Sequence, residues 1–489
     1  MTAILVLPPV IALLALALLR WPALQRRVSI GGGGLLALAA VNLAFGLEPG
    51  EIRVWVLGGW PAPLGIVWVA DRLAAALVAV AAFVGAAALV AASAGHDEAR
   101  QHPLWHPLAH LLLWAVCGAF LTGDLFNLFV WFEVMLMASF VLMALGGGRE
   151  RLEGAVKYVA MNLISSVLFL CGCGILYGVC GTLNAADLAR VIGARPEPAV
   201  LAGGGCLLAA FLLKSAAFPL FAWLPASYHT TTPATAALFS ALLTKVGVYA
   251  VLRLTVTVMP IAETPLQPLL LWLSLATMVV GVLGAATQME LKRILAFHII
   301  SQVGYMLLGI ALGSAPALAA AAFYLIHHII VKSNLFLIAG LAAAQGGSDD
   351  VRRLGGLRQH PALYAGFIIA AGSLAGLPPL SGFFAKLATV RAASELAQWT
   401  AVVVALLVGF FTLYSMLKIH REVFAKDAPS SPAAASTGSG SALAAIVGLA
   451  AVTVGIGIAA GTLWRWALSV GAELAARTPY ITAVLGGPR

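Results

Sequence analysis

Glu133 is a lone carboxylate in the middle of TGDLFNLFVWFEVMLMAS, the apolar run of residues 122–139. It follows Asp124 by nine residues. At a helical rise of about 1.5 Å per residue this places it about 14 Å along the segment, near the centre of a hydrocarbon layer roughly 30 Å thick. An acid there costs about 2.5 to 3.5 kcal/mol to insert, so it is kept where it has a partner or a task, by default on an ion path. Lys214, Lys245, Lys332 and Lys386 stand inside other apolar segments. Burial disfavours an ammonium and a nearby carboxylate restores it, so an alternation of acid and base can take up and release protons. A reversible contact between Glu133 and Lys214 would then act as a switch. In FYLIHHIIVKSNLF, His328 and Lys332 are four residues apart and share a helical face, and with His327 they have the makings of a proton relay. His298, Ser301 and Gln302 in RILAFHIISQVGY could hold relay waters or simply pack. His229 in ASYHTTTP is either an uptake group or a plain surface histidine.

Other chemistries find no support in the residue pattern. The five cysteines, Cys117, Cys171, Cys173, Cys180 and Cys206, all lie in apolar runs, where a free cysteine is ordinarily a small buried residue. Their spacing matches no metal or Fe–S site, and there is no nucleotide-binding loop or haem-ligand pattern. The chain is therefore expected to carry no metal or cofactor, and any electron transfer would belong to a partner.

The elements that position these groups must be membrane helices. Of 489 residues, 62% are hydrophobic and only 10% charged, far from the soluble average of about 25% charged. The net charge of +9 sits in loops, which fits membrane topology better than nucleic-acid binding. Hydropathy predicts an all-α polytopic protein with about fourteen spans, near residues 2–20, 29–46, 72–93, 104–122, 124–145, 156–181, 200–225, 233–258, 265–287, 293–313, 317–343, 362–390, 398–420 and 441–464. Met1 opens directly into the first, which reads as a retained helix and not as a cleaved leader. Lys and Arg cluster after the first, fifth, ninth, eleventh and thirteenth spans. These loops are expected in the cytoplasm, with both termini on the other side of the membrane.

Two spans carry internal breaks, the seventh at Pro219 and the twelfth at Pro378 and Pro379. Proline removes a helical donor and clashes with the preceding turn, and open backbone at membrane depth needs protein or water against it. Breaks five spans apart fit two inverted five-helix repeats, although the halves share no clear residue-level identity; two unrelated kinks are the simpler alternative. The predicted organisation is a three-helix segment at 1–103, repeats at 104–258 and 259–426, and a flexible linker, last helix and short tail at 427–489.

Several stretches carry a resemblance: GDLFNLFVWFEVMLMASFVLMALGG, KYVAMNLISSVLF, KSAAFPLFAWLPASYHTTTPATAALFSALLTKVGVY, LKRILAFHIISQVGYMLLG and LAGLPPLSGFFAK. They resemble the D-type subunits of the multisubunit Mrp-type (Mnh) Na+/H+ antiporters, relatives of the antiporter-like subunits of respiratory complex I. The resemblance covers about residues 70–420. It implies fourteen helices, a proton path through Glu133, Lys214, Lys245 and Lys386 with His328 and Lys332 between them, and partners of the A, B, C, E, F and G types. On this reading the chain is an ion-transport subunit and not an enzyme. The other reading that the residues leave open is a membrane subunit of a redox complex such as complex I or a membrane-bound hydrogenase. A self-contained carrier of an organic solute fits less well, because a series of lysines suits proton transfer better than one substrate site.

Overall fold

Backbone in an apolar setting has to satisfy its own hydrogen bonds, and the chain does so almost entirely with helices. The computed structural model describes residues 1–93, 102–193, 197–427 and 440–486. In order these form α1 (Thr2–Ala17), α2 (Pro22–Phe45), strands β1 (Arg53–Val56) and β2 (Val67–Ala70), α3 (Arg72–Ala91), α4 (Trp105–Leu121), α5 (Leu125–Ala144) and α6 (Arg149–Cys180). Next come α7 (Ala185–Ile192), α8 (Pro198–Lys214), α9 (Trp223–Ser227) and α10 (Pro233–Leu252), which runs into a π turn, Arg253–Val258. The second half holds α11 (Leu266–Thr287), α12 (Leu291–Leu312), α13 (Ala315–Gly346), α14 (Pro361–Ala375), α15 (Ser381–Glu395) and α16 (Trp399–Ile419), again followed by a π turn, His420–Ala425. The chain closes with α17 (Gly440–Ile458), α18 (Ala460–Ala475) and α19 (Arg477–Leu485).

Among the described residues, ten helices are long and apolar enough to cross a membrane, and α1, α4, α8 and α14 are shorter apolar ones. The apolar stretches of α10 and α13 are wholly enclosed by protein, and that of α12 nearly so, whereas α2, α6 and α16 keep most of theirs on the outside. A membrane helix that carries polar side chains belongs at the centre of its bundle, because lipid offers those groups nothing. Small residues allow the close approach this requires. A Cβ on Gly281 would sit 2.3 Å from the Ser301 nitrogen, and one on Gly304 2.7 Å from the Ser274 carbonyl, so α11 and α12 meet backbone to backbone.

Both proline-bearing spans are broken. In the first break α8 stops at Lys214, and the backbone of Phe218, beside Pro219, donates to Thr277 Oγ1 on α11 at 3.0 Å. In the second, Gly376 ends α14 in the left-handed region (φ 94°), Pro378 and Pro379 follow, and α15 starts at Ser381. Here the Gly382 nitrogen donates to Ser373 Oγ at 3.1 Å. A Cβ on Gly382 would lie 1.8 Å from the Ser373 carbonyl oxygen, which no side-chain shift can relieve. Gly382→Ala should therefore displace α15 from α14 and cost about 1 to 3 kcal/mol or more. The check is the thermal midpoint and yield of purified complex, which should both fall.

Three expectations need correction. The chain is not strictly all-α: β1 and β2 pair antiparallel, Arg53 opposite Ala70 and Val56 opposite Val67, because two short Val/Trp runs flank a Gly/Pro turn that a span-length hydropathy window averages away. The last helix does not reach residue 464 but ends at Ile458, and two further helices replace the short tail. In α18 the buried positions Ala460, Ala467, Val470, Gly471 and Leu474 recur on one side, a stripe too interrupted by Trp464, Arg465 and Glu473 to read as a span. The cytoplasmic linker expected before the last helix falls mostly on residues 428–439, outside the described residues.

Candidate functional site

Glu133 occupies the middle of α5 and is half-buried. Its Oε1 accepts a hydrogen bond from Ser166 Oγ on α6 at 2.5 Å. The direct contact with Lys214 expected from the sequence is absent: the Lys214 ammonium is buried without a hydrogen-bond partner and lies 5.4 Å from the centre of the Phe132 ring. The charge of Glu133 still reaches it. An aromatic face holds a cation by its quadrupole, so Phe132 keeps the amine beside the acid's helix without closing an ion pair.

Lys214 is the last residue of α8, next to the first break, as its position ahead of Pro219 implies. Behind that break lies α10, where a Cβ on Gly247 would sit 3.0 Å from the Lys214 carbonyl carbon. Lys245 on α10 is fully buried, and its ammonium donates to the Ser240 carbonyl of its own helix. On α13, the Lys332 ammonium donates to the Leu295 carbonyl of α12 at 2.9 Å. Lys245 and Lys332 feel each other's charge, and both act on His328, whose two ring nitrogens are buried and meet no partner. His298 on α12 is in the same condition and is reached by the charges of Lys332 and Lys386.

Lys386 closes the series. Its ammonium lies 5.4 Å from the Tyr305 ring centre and reaches back across the second break to the Ala375 carbonyl, 2.9 Å away, at the open end of α14. His327 turns from its neighbour to the same break, sharing a 2.8 Å hydrogen bond with Ser381 Oγ. Gln302 accepts from the Tyr324 hydroxyl, while its amide nitrogen and Ser301 Oγ are buried and unpaired. Ser333 and Asn334, directly after Lys332, are unpaired too. Sequence reasoning did not single them out, although the polar triplet KSN inside an apolar run was a usable signal.

Lys418 reads from the sequence as one of the loop charges and is instead buried near the end of α16. It donates to the carbonyls of Ala286 (2.9 Å) and Gln288 (2.7 Å) at the end of α11. A lysine ammonium on the last carbonyls of a helix is a stabilising cap, aided by the helix dipole.

His229 stands between α9 and α10 at the edge of a polar vestibule of about 620 Å³. Glu150, Glu290 and Asp349 line it together with Lys292 and Arg293. Burial holds the Glu290 carboxyl above its usual range, and burial followed by the Arg293 charge holds His229 below its ordinary value. The vestibule thus brings a carboxyl group and an imidazole, both able to bind and release protons, to one polar space. Among the described residues no group of His, Cys, Asp or Glu is placed to hold a metal ion.

Residues 122–412 match the family described as NADH:quinone oxidoreductase/Mrp antiporter, transmembrane. A D-type Na(+)/H(+) antiporter subunit from Alkalihalophilus pseudofirmus is 43% identical over 464 residues, 94% of each chain. Among solved structures, a chain of the Mrp complex from Dietzia sp. aligns with a TM-score of 0.91 at 31% identity, covering 99% of both chains. A chain of the membrane-bound sulfane sulfur reductase, an archaeal respiratory membrane complex, aligns with a TM-score of 0.89 at 25% identity, again over 99% of both. With its match spanning more than half the sequence and its relative at 43% identity along nearly the whole of it, the chain belongs to the NADH:quinone oxidoreductase/Mrp antiporter family.

Proposed function

We propose that this chain is the proton-translocating D-type subunit of a multisubunit Na+/H+ antiporter, working with the other Mrp subunit types in a bacterial cytoplasmic membrane. The observation that carries this reading is a set of ionisable groups along the bundle centre, in two electrostatically linked parts: Glu133 with Lys214, and Lys245, His328, Lys332 and His298 with Lys386. The two parts meet where Gly247 of α10 packs against the Lys214 backbone. Two of its lysines border helix breaks. Buried polar atoms without protein partners, on His328, His298, Ser301 and Asn334, are sites where water can complete a proton wire. The vestibule at His229 is the cytoplasmic mouth, and Ser301, Gln302 and His327 are accessory to the path.

The topology that fits is fourteen spans, made of the ten long helices and the four shorter apolar ones, the two broken spans each counted once, with both termini outside the cytoplasm. Two inverted repeats, 104–258 and 259–426, find support in a matched pair of backbone bridges. Asp124 pairs with Asn184 and Glu290 with Asp350, a separation of 60 residues in both halves. Each bridge ties the start of a repeat's second span to the end of its third. Each repeat has its break in the fourth span and a π turn after the fifth. A shift of 166 residues carries one bridge onto the other. The same shift carries Asn162 and Ser166, beside Glu133, onto His328 and Lys332.

Sodium selection belongs to a partner on this reading. Glu133 is the one acid at mid-membrane, and a hard cation prefers a cage of several oxygen ligands. The test reconstitutes the isolated chain and the whole complex side by side under an imposed pH gradient. Na+-dependent proton flux is expected from the complex alone, and equal flux from the isolated chain would refute the division of labour.

A further inference from the structure

The proposed path has a mouth at His229 and a centre, and from Lys245 the far end of α10 leads on to the opposite face. Beyond Lys245, α10 and the turn that follows it carry Tyr249 and Arg253 at intervals of four residues, so the three positions share one face leading away from the vestibule, with the Lys245 ammonium at rest on the Ser240 carbonyl. At its end the Arg253 guanidinium is held from several directions. Nη2 pairs with Asp71 Oδ2 at 2.5 Å and Nε donates to the Tyr249 hydroxyl at 2.9 Å. The rings of Tyr249 and Tyr480 lie 5.0 and 5.7 Å from its carbon. Arg253 also opens the π turn that ends α10, and such turns concentrate at functional sites.

On the far side of this pair is a cavity of about 130 Å³, bordered by Asp71, Arg253, Glu473 and Tyr480. It is roofed by the C-terminal helices. Arg477 donates to the Thr257 and Val258 carbonyls at 2.9 Å each, and Arg72 pairs with Glu473 at 2.9 Å. The ion pair therefore stands between the central lysine and an outward-facing space. Asp71 divides its oxygens between two tasks: Oδ1 caps α3 through the Ala74 nitrogen at 2.9 Å, which leaves Oδ2 to Arg253 alone.

We propose that Arg253 and Asp71 form the outer gate of the proton path, with Asp71 the carboxylate that hands the proton to the external cavity. This rests on the function and orientation proposed above. In the step itself, the Lys245 ammonium gives up a proton that passes through intervening water to Asp71 Oδ2, past the Tyr249 hydroxyl, which donates to the Phe120 carbonyl at 2.7 Å and accepts from Arg253. Lys245 is left as the neutral amine and Asp71 as the neutral acid. The acid no longer attracts Arg253, the contact opens, and the proton leaves to the cavity. The restored carboxylate then draws the guanidinium back and closes the route.

The experiment uses the whole complex in proteoliposomes and reads both Na+-driven proton exchange and passive proton leak without Na+. In assembled complex, Asp71→Asn should lower exchange about 10-fold or more, as loss of a proton-transfer group does, and Asp71→Glu should restore a substantial part. Arg253→Gln removes the clamp and should raise the passive leak several-fold, by about 3-fold or more. A merely structural ion pair would lower assembly or the thermal midpoint without splitting Asn from Glu or producing a leak. Wild-type exchange by an assembled Asp71→Asn complex overturns the proposal. Should that variant fail to assemble because it uncaps α3, the Arg253→Gln leak decides alone, and a tight Arg253→Gln complex overturns it. Lys245→Ala run in parallel separates the two levels: if it also retains full exchange, the proton path itself is wrong, whereas its failure beside a fully active Asp71→Asn condemns only the gate.

Discussion

Glu133→Gln is expected to yield an assembled complex in which Na+-driven proton exchange falls by about 100-fold. Gln has the size of Glu, and its carbonyl oxygen can still accept the 2.5 Å hydrogen bond from Ser166 Oγ, so the contact between α5 and α6 should survive. What disappears is the negative charge that reaches Lys214. The Lys214 ammonium has no hydrogen-bond acceptor and only the Phe132 ring for support, so it depends on that charge more than a paired lysine would. Glu133→Asp keeps the charge but withdraws it from Ser166 by one methylene, and should retain part of the activity. Ser166→Ala leaves the acid in place without its donor and should cost less than Gln, about 2- to 10-fold, the net worth of one ordinary hydrogen bond. Robust exchange by an assembled Gln variant would remove Glu133 from the mechanism.

Lys245→Ala is expected to abolish exchange to a similar degree, and Lys332→Ala on top of it to cost little more. The two ammonium groups and His328 lie close enough in a fully buried setting for their charges to act on one another. Like charges in low dielectric cannot all be held at once, so a proton arriving at one station helps to expel one from the next. Stations that work as a unit are non-additive: once one is gone, the others have nothing to pass on. The measurement is exchange by both single variants and the double variant in complexes matched for subunit content. Losses that multiply would indicate two separate routes, and losses that track poor assembly would mean the lysines only pair structurally.

Much of the site was legible in the chain because charged residues inside membrane-length apolar runs are costly enough to stand out one at a time. Glu133, Lys214, Lys245, Lys332 and Lys386 could each be found from their neighbours in sequence. The two breaks were nearly as plain, since proline at Pro219 and at Pro378 and Pro379 acts on its own helix, although Pro8 and Pro9 lie inside α1 without ending it. Lys418 was missed for the converse reason. Three residues before a run of loop charges, it reads as part of that run, and only the approach of α16 to the end of α11 turns it into a buried cap. The β1–β2 hairpin was hidden because its strands are far shorter than a hydropathy window, and α18 because Trp464, Arg465 and Glu473 interrupt its apolar stripe.

The sequence by itself therefore determined which ionisable residues stand inside apolar runs, where two of the helices break, and that the chain lives in a membrane, because these follow from local composition and the cost of unsatisfied backbone. The partners were decided by the tertiary structure. It gave Glu133 to Ser166 and not to Lys214, turned His327 to the second break while His328 faced the lysines, and brought Asp71 and Arg253 together from 182 residues apart. Contacts between helices distant in the chain depend on which faces pack. In a bundle apolar on nearly every side, the faces are chosen by small residues such as Gly247 and Gly281 and by the few polar groups that must avoid lipid.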